Sequence, residues 1–135
     1  MAVFVLTDFA LTCNAVNLSS YVRKATLKTS ADDQDSTAMS ATYHARIGGL
    51  KDWSVEVEFN QDFAASQVDA TLFPLLGSVF TVTGKPTSAA VGTGNPQYSG
   101  PALLKEYTPI DGSVGDLATA TASLVGAGTL SRATS

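Results

Sequence analysis

Reactive side chains are scarce in this chain of 135 residues, which has one cysteine and one histidine. Cys13 has no partner for an internal disulfide, so a small stapled scaffold is excluded and a reducing compartment suits folding. His44 offers no His–His metal pair, and no cysteine or carboxylate stands at ligand spacing beside it. It reads as a structural or surface residue.

Charge is also in short supply. Asp, Glu, Lys and Arg make up 15% of the chain, below the roughly 25% of ordinary soluble domains. Either part of the surface meets protein, or serine and threonine hydroxyls solvate a β-domain; composition leaves both open. Basic residues are outnumbered, giving a net charge of −4 and a pI near 4.6. That excludes a basic stripe able to displace counterions and grip nucleic acid. An acidic surface that DNA passes without being held remains compatible. Long apolar runs are missing as well. The N-terminal MAVFVLTDFALTCNA lacks a basic n-region and is broken by Asp8, so neither a signal peptide nor a membrane span is expected.

Catalytic patterns fail one after another. Asp33, Asp35 and Thr37 match the first positions of a calcium loop, but Ala38 replaces the required glycine and His44 the bidentate glutamate. The stretches GTGNP and GAGTL lack the lysine or strand–helix context of phosphate loops, and GSVG is not a nucleophile elbow. Glu56 and Glu58 share one strand face, where acids are usually just solvated rather than split in pKa for acid–base work. They read as part of an acidic wall. No enzyme, cofactor or metal is expected.

What the chain does have is period two, the mark of half-buried strands. In GGLKDWSVEVEFNQDF, Trp53, Val55, Val57 and Phe59 point one way, while Asp52, Ser54, Glu56, Glu58 and Asn60 point the other. Residues 21–29 alternate too, placing Val22 with Lys24, Thr26 and Lys28, and Ala25 and Leu27 opposite. The polar residues 30–40 read as a long loop or hairpin tip, ATYHARI as a returning strand, and Gly48-Gly49 as a turn. The period then changes: Val68, Leu72, Leu75 and Leu76 share one helical face, with Ser66 and Asp69 spaced as a capping box. Pro74 should kink or end that helix near Phe73. Strands follow near residues 78–84, 98–110 and 116–128, separated by exposed loops. The expectation is one mainly β domain over residues 1–135. It is a β-sandwich or barrel with one short packed helix at about 66–76, long exposed loops, and a core of Trp53, Val55, Val57, Phe59, Leu72 and Leu76.

Taken in order, the polar loop KTSADDQDSTAMSATYHAR, the GLKDWS strand, VDATLFPLLG, NPQYSGPALLKEYTP and GSVGDLATATASLVGAGTLSRAT resemble the major tail tube proteins of long, non-contractile-tailed bacteriophages. The resemblance spans roughly residues 15–135. It implies a β-sandwich or barrel with one helix, and subunits that form hexameric rings stacked as a tube. The implied partners are other copies of the chain, a tape-measure protein and a tail terminator, with double-stranded DNA passing transiently and no membrane. The implied place is the virion tail, assembled in the host bacterial cytoplasm. Within that frame Glu56 and Glu58 are candidates to face the lumen. Asp32, Asp33, Asp35 and Met39, in the 30–40 segment, are candidates for the contact between rings. The segments at about 1–14 and 128–135 are candidate assembly arms, or equally closing strands.

Two other readings stand beside this one. A head-decoration or neck protein of a virion is also small and β-rich, and would bind a preformed lattice or ring. A carbohydrate-binding or adhesive β-sandwich would need exposed aromatic platforms. Trp53 alternates with core residues and Tyr43, Tyr98 and Tyr107 are scattered, which weakens that reading.

Overall fold

A computed structural model describes residues 3–135. Among the described residues eight antiparallel strands form a single sheet: β1 (Ala10–Cys13), β2 (Val16–Asn17), β3 (Val22–Asp35), β4 (Arg46–Asn60), β5 (Val79–Lys85), β6 (Gln97–Asp111), β7 (Thr119–Gly126) and β8 (Ser131–Ala133). The spatial order is β2-β1-β5-β6-β7-β4-β3, with β8 added to β6. One helix, α1 (Val68–Leu72), continues into a 3-10 turn at Phe73–Leu75. The two edge strands, β2 and β3, are consecutive in sequence. The five steps from Asn17 to Val22 span at most about 18 Å, so the sheet curls until its edges approach. No ladder joins β2 to β3 among the described residues, and the barrel stays open along a seam.

The core lies inside the curl. Cross-strand pairing puts Leu27, Val55, Leu124 and Leu104 in one row, and Ala25, Val57, Ala122 and Tyr107 in the next. Trp53, Val55, Val57, Phe59 and Leu72 are all buried, and Val68 and Leu72 of α1 pack on the same cluster. Val57 and Phe59 on β4 face Ala122 and Ala120 on β7, so the two strands interdigitate there without crowding. Burying each large side chain stabilises by roughly 1.5–3 kcal/mol.

Several local expectations are corrected. The residues at 30–35 continue β3, and ATYHARI is loop up to Ala45, with β4 starting at Arg46. Gly48 and Gly49 lie inside β4 and neither takes a positive φ. They belong to a bulge between the Ala31–Lys51 and Asp33–Gly48 pairs, where a Cβ on Gly49 would stand 3.3 Å from Asp32 Cβ. A second bulge inserts Arg23 between the Val22–Phe59 and Lys24–Glu58 pairs. It returns Val22 to the face of Ala25 and Leu27, opposite to strict alternation.

Around α1 the capping box does not form. Gln67 is the N-cap without a side-chain bond, and Ser66 has a φ of 62°. Asp69 instead accepts a hydrogen bond from the Tyr107 hydroxyl at 3.0 Å. Leu76, expected in the core, is 47% exposed. The α-helix ends at Leu72 and tightens around Pro74, so the four-residue phase is lost and Leu75 takes the place against the core.

Candidate assembly interface

β4 pairs with β7 only from Ser54 to Asn60. Upstream of that, β4 has β3 alone, so residues 29–35 and 46–53 form a two-stranded ribbon that leaves the sheet. At about 3.3 Å per residue the ribbon runs roughly 23 Å past the last β4–β7 pair, its foot beside residues 126–130, before its tip at 36–45. Thr37 holds the base of the tip: its amide donates to Asp35 Oδ1 and its hydroxyl accepts from the Ala45 amide. The Thr37 hydrogen bonds, side chain first, hold the Asp35 carboxyl below its ordinary value. Arg46 Nε lies 3.3 Å from Asp33, and His44 Nδ1 lies 3.5 Å from Asp35, an acid that the spacing alone did not pair with it.

The four acid-loop candidates therefore separate. Asp32, Asp33 and Asp35 are strand residues of the ribbon, and Met39 is at its tip with 96% exposure. Ile47 and Leu50, which sequence reasoning missed, are 62% and 82% exposed on the same ribbon. Leu50 had a readable signal. It interrupts the polar side of the alternation that Asp52, Ser54, Glu56 and Glu58 carry.

Glu56 and Glu58 sit on the outer face of the curl. Glu56 is in a row with Thr26, Ser123 and Glu106; Glu58 is in the next with Lys24, Thr121 and Thr108. Arg23 reaches Glu58 at 3.6 Å. This wall is mixed in charge rather than uniformly acidic, because β3 lays Arg23, Lys24 and Lys28 beside the glutamates.

The segment from Val3 to Phe9 crosses the open seam without strand structure. Phe4, Leu6 and Phe9 line an apolar cavity of about 210 Å³ shared with Leu11, Ala25 and Val82. Gly84 leaves room for Phe9, since a Cβ there would approach its ring to 3.1 Å. Asp8 is tied to the Ser88 hydroxyl and amide, which lowers its pKa. The N-terminal segment thus divides: Ala10–Cys13 is a strand of the sheet, and Val3–Phe9 lies outside the strands. Residues 1 and 2 of that candidate arm lie outside the described residues. At the other terminus β8 pairs with Gln97–Ser99 of β6, so it closes the sheet as a strand.

At the end opposite the ribbon, Asn60, Thr119 and Asp111 stand level across β4, β7 and β6. The turn at 112–118 and the loop after β4 meet there, through the Gln61 amide bonded to Ala118 O and Gln61 Nε2 bonded to Pro109 O. Phe63, Ile110, Val114 and Leu117 are exposed on this end. Among the described residues no cluster of histidine, cysteine and acids is placed to hold a metal ion, and no helix is long and apolar enough to cross a membrane.

No family model matches the sequence, and no curated protein matches it. Solved structures do match in fold. A chain from the tail of an empty gene transfer agent particle, with C6 symmetry, has a TM-score of 0.68 and 17% identity over 84% of this chain and 82% of that one. A chain from the sheath–tube complex of an extracellular contractile injection system, PVC, in its extended state, gives 0.74 and 9% over 98% and 93%. The SPP1 tail tube gives 0.70 and 10% over 95% and 76%. The chain has the fold of subunits found in phage tails and related injection tubes.

Proposed function

We propose that this protein is a structural tail tube subunit that assembles with copies of itself. Hexameric rings stack into a tube in the virion tail, built in the host bacterial cytoplasm, and DNA passes down its lumen. The single domain of residues 1–135 supplies the ring, with the segment before β1 packing on neighbours. A tape-measure protein occupies the tube before the genome does, and a tail terminator ends it.

The observation that carries this reading is the ribbon. A two-stranded ribbon is marginal in water by itself, and this one leaves Ile47 and Leu50 exposed. A second copy that covers them supplies the missing packing. A ribbon that docks on a different surface of the next copy makes a heterologous contact, and such contacts close into rings or propagate as filaments. The similar fold in a C6 tail and in a tail tube supports the same choice. Asp32, Asp33, Asp35 and Met39 belong to this contact between rings.

The outer wall carrying Glu56 and Glu58 suits the lumen for a physical reason. Arg23 is paired with Glu58 and Lys24 stands opposite it, so acids interrupt the basic residues along this face and weaken its hold on phosphate. DNA slides past without being held.

The test is Ile47→Glu with Leu50→Glu. Both residues are exposed, so the variant should fold with an unchanged circular dichroism spectrum and fail to form tubes. Normal tubes from this variant would remove the ribbon, and with it the main support for the proposal.

A further inference from the structure

The excess negative charge is concentrated at the two ends of the molecule. The ribbon carries Asp32, Asp33, Asp35 and Asp52 against Arg46 and Lys51, with His44 beside Asp35. The opposite end carries Asp62, Asp111 and Asp116, and residues 60–77 and 107–119 contain no lysine or arginine. Arg23 borders that end and is engaged by Glu58. Of the remaining cations, Lys24, Lys28 and Lys105 lie on the strands between, while Lys85 and Arg132 stand beside Tyr98 toward the foot of the ribbon.

The same two ends carry exposed apolar side chains: Ile47 and Leu50 on the ribbon, and Phe63, Ile110, Val114 and Leu117 opposite. The strand register fixes their relation. Asn60, Thr119 and Asp111 are level at one end, and Arg46 begins β4 at the other. Copies stacked in one direction therefore bring the ribbon of each against the 110–117 end of the next.

We infer that the ribbon docks on the 110–117 end of a second copy, and that ionic strength gates this contact. It rests on the tube reading and adds the acceptor and its control. Apolar burial draws the two ends together while like charge holds them apart. The repulsion extends about 30 Å at 0.01 M salt and about 8 Å at 0.15 M. Stacking is suppressed in dilute salt and released as salt rises, the reverse of an interface held by ion pairs.

Two experiments on the full chain test this. The first measures the critical concentration for tube formation in sodium chloride, by sedimentation and electron microscopy. It should fall about tenfold between about 0.01 and 0.15 M as repulsion is screened. Asp111→Asn with Asp116→Asn should assemble in dilute salt and lose most of that dependence. The asparagine side-chain oxygen at 116 can still accept from the Ser113 amide. Tubes that ignore salt, or dissolve as it rises, overturn the gating and leave the tube reading standing. A folded chain that forms no tubes at any salt overturns both.

The second experiment locates the acceptor. Leu50→Cys with Val114→Cys, oxidised within tubes, should give a ladder of linked copies, and neither single variant should. Tubes without a ladder, or dimers from Leu50→Cys alone, overturn the acceptor.

Discussion

The indole of Trp53 donates a hydrogen bond of 2.9 Å to the main-chain carbonyl of Gly128, 75 residues away. β7 and β8 are two pieces of one line along β6, interrupted at 127–130, and Trp53 fills the interruption. A Cβ on Gly126 would lie 2.4 Å from the indole nitrogen, so only glycine fits. Gly126→Ala should therefore destabilise the fold by about 1–3 kcal/mol through overpacking. A lower urea midpoint with an unchanged slope is the expected result; an unchanged midpoint would mean the indole is not held there.

Tyr107 links α1 to the sheet by donating to Asp69 and accepting from Gln61 Nε2. Burial pushes its pKa up to about 12. Because the folded value lies above the ordinary 10, its contribution to stability is fully present below about pH 10 and is lost as pH rises through about 12. Tyr107→Phe should cost about 1 kcal/mol near neutrality and flatten part of the alkaline loss. Part of the slope should remain, since the hydrogen bond to Asp62 also raises Tyr21. Unfolding curves between pH 9 and 12 read both effects; an equally steep loss in the variant would clear Tyr107 of the role.

Cys13 is buried in the core, and burial pushes its thiol up to about 12. The thiolate is the reactive form. The native protein should therefore resist iodoacetamide at pH 8, and the denatured protein should react fully. Rapid labelling of the folded chain would show that β1 opens.

The wall assignment predicts a separation of assembly from delivery. Glu56→Lys with Glu58→Lys leaves the core rows untouched and sets new cations beside Lys24 and Arg23. Tubes should form, and DNA should leave more slowly along the new basic track. Particles carrying this variant that deliver DNA at the ordinary rate would move Glu56 and Glu58 out of the lumen.

Much of this was legible in the sequence where one physical rule acted alone. The alternation from Trp53 to Phe59 is read directly as a buried strand face, because period two survives unbroken there. The rule fails where tertiary pairing inserts a residue. The bulge at Arg23 reversed the expected side of Val22, and the bulge near Gly49 let a Gly-Gly pair sit within a strand. The ribbon was hidden for a similar reason: SADDQD is rich in turn formers, yet β4 offers it a partner 46–52 residues into the chain. Leu76 was misplaced because a helical period was extended past Pro74. The acidic wall was overestimated because its cations come from β3, a strand that only the sheet order puts beside Glu58.

The central claim is that this chain builds a tube, and electron microscopy of the purified full-length protein over a concentration series in about 0.15 M salt tests it most directly. Six-fold rings and stacked tubes with an open channel are the predicted result. A folded chain that remains monomeric at every concentration and salt would contradict the account.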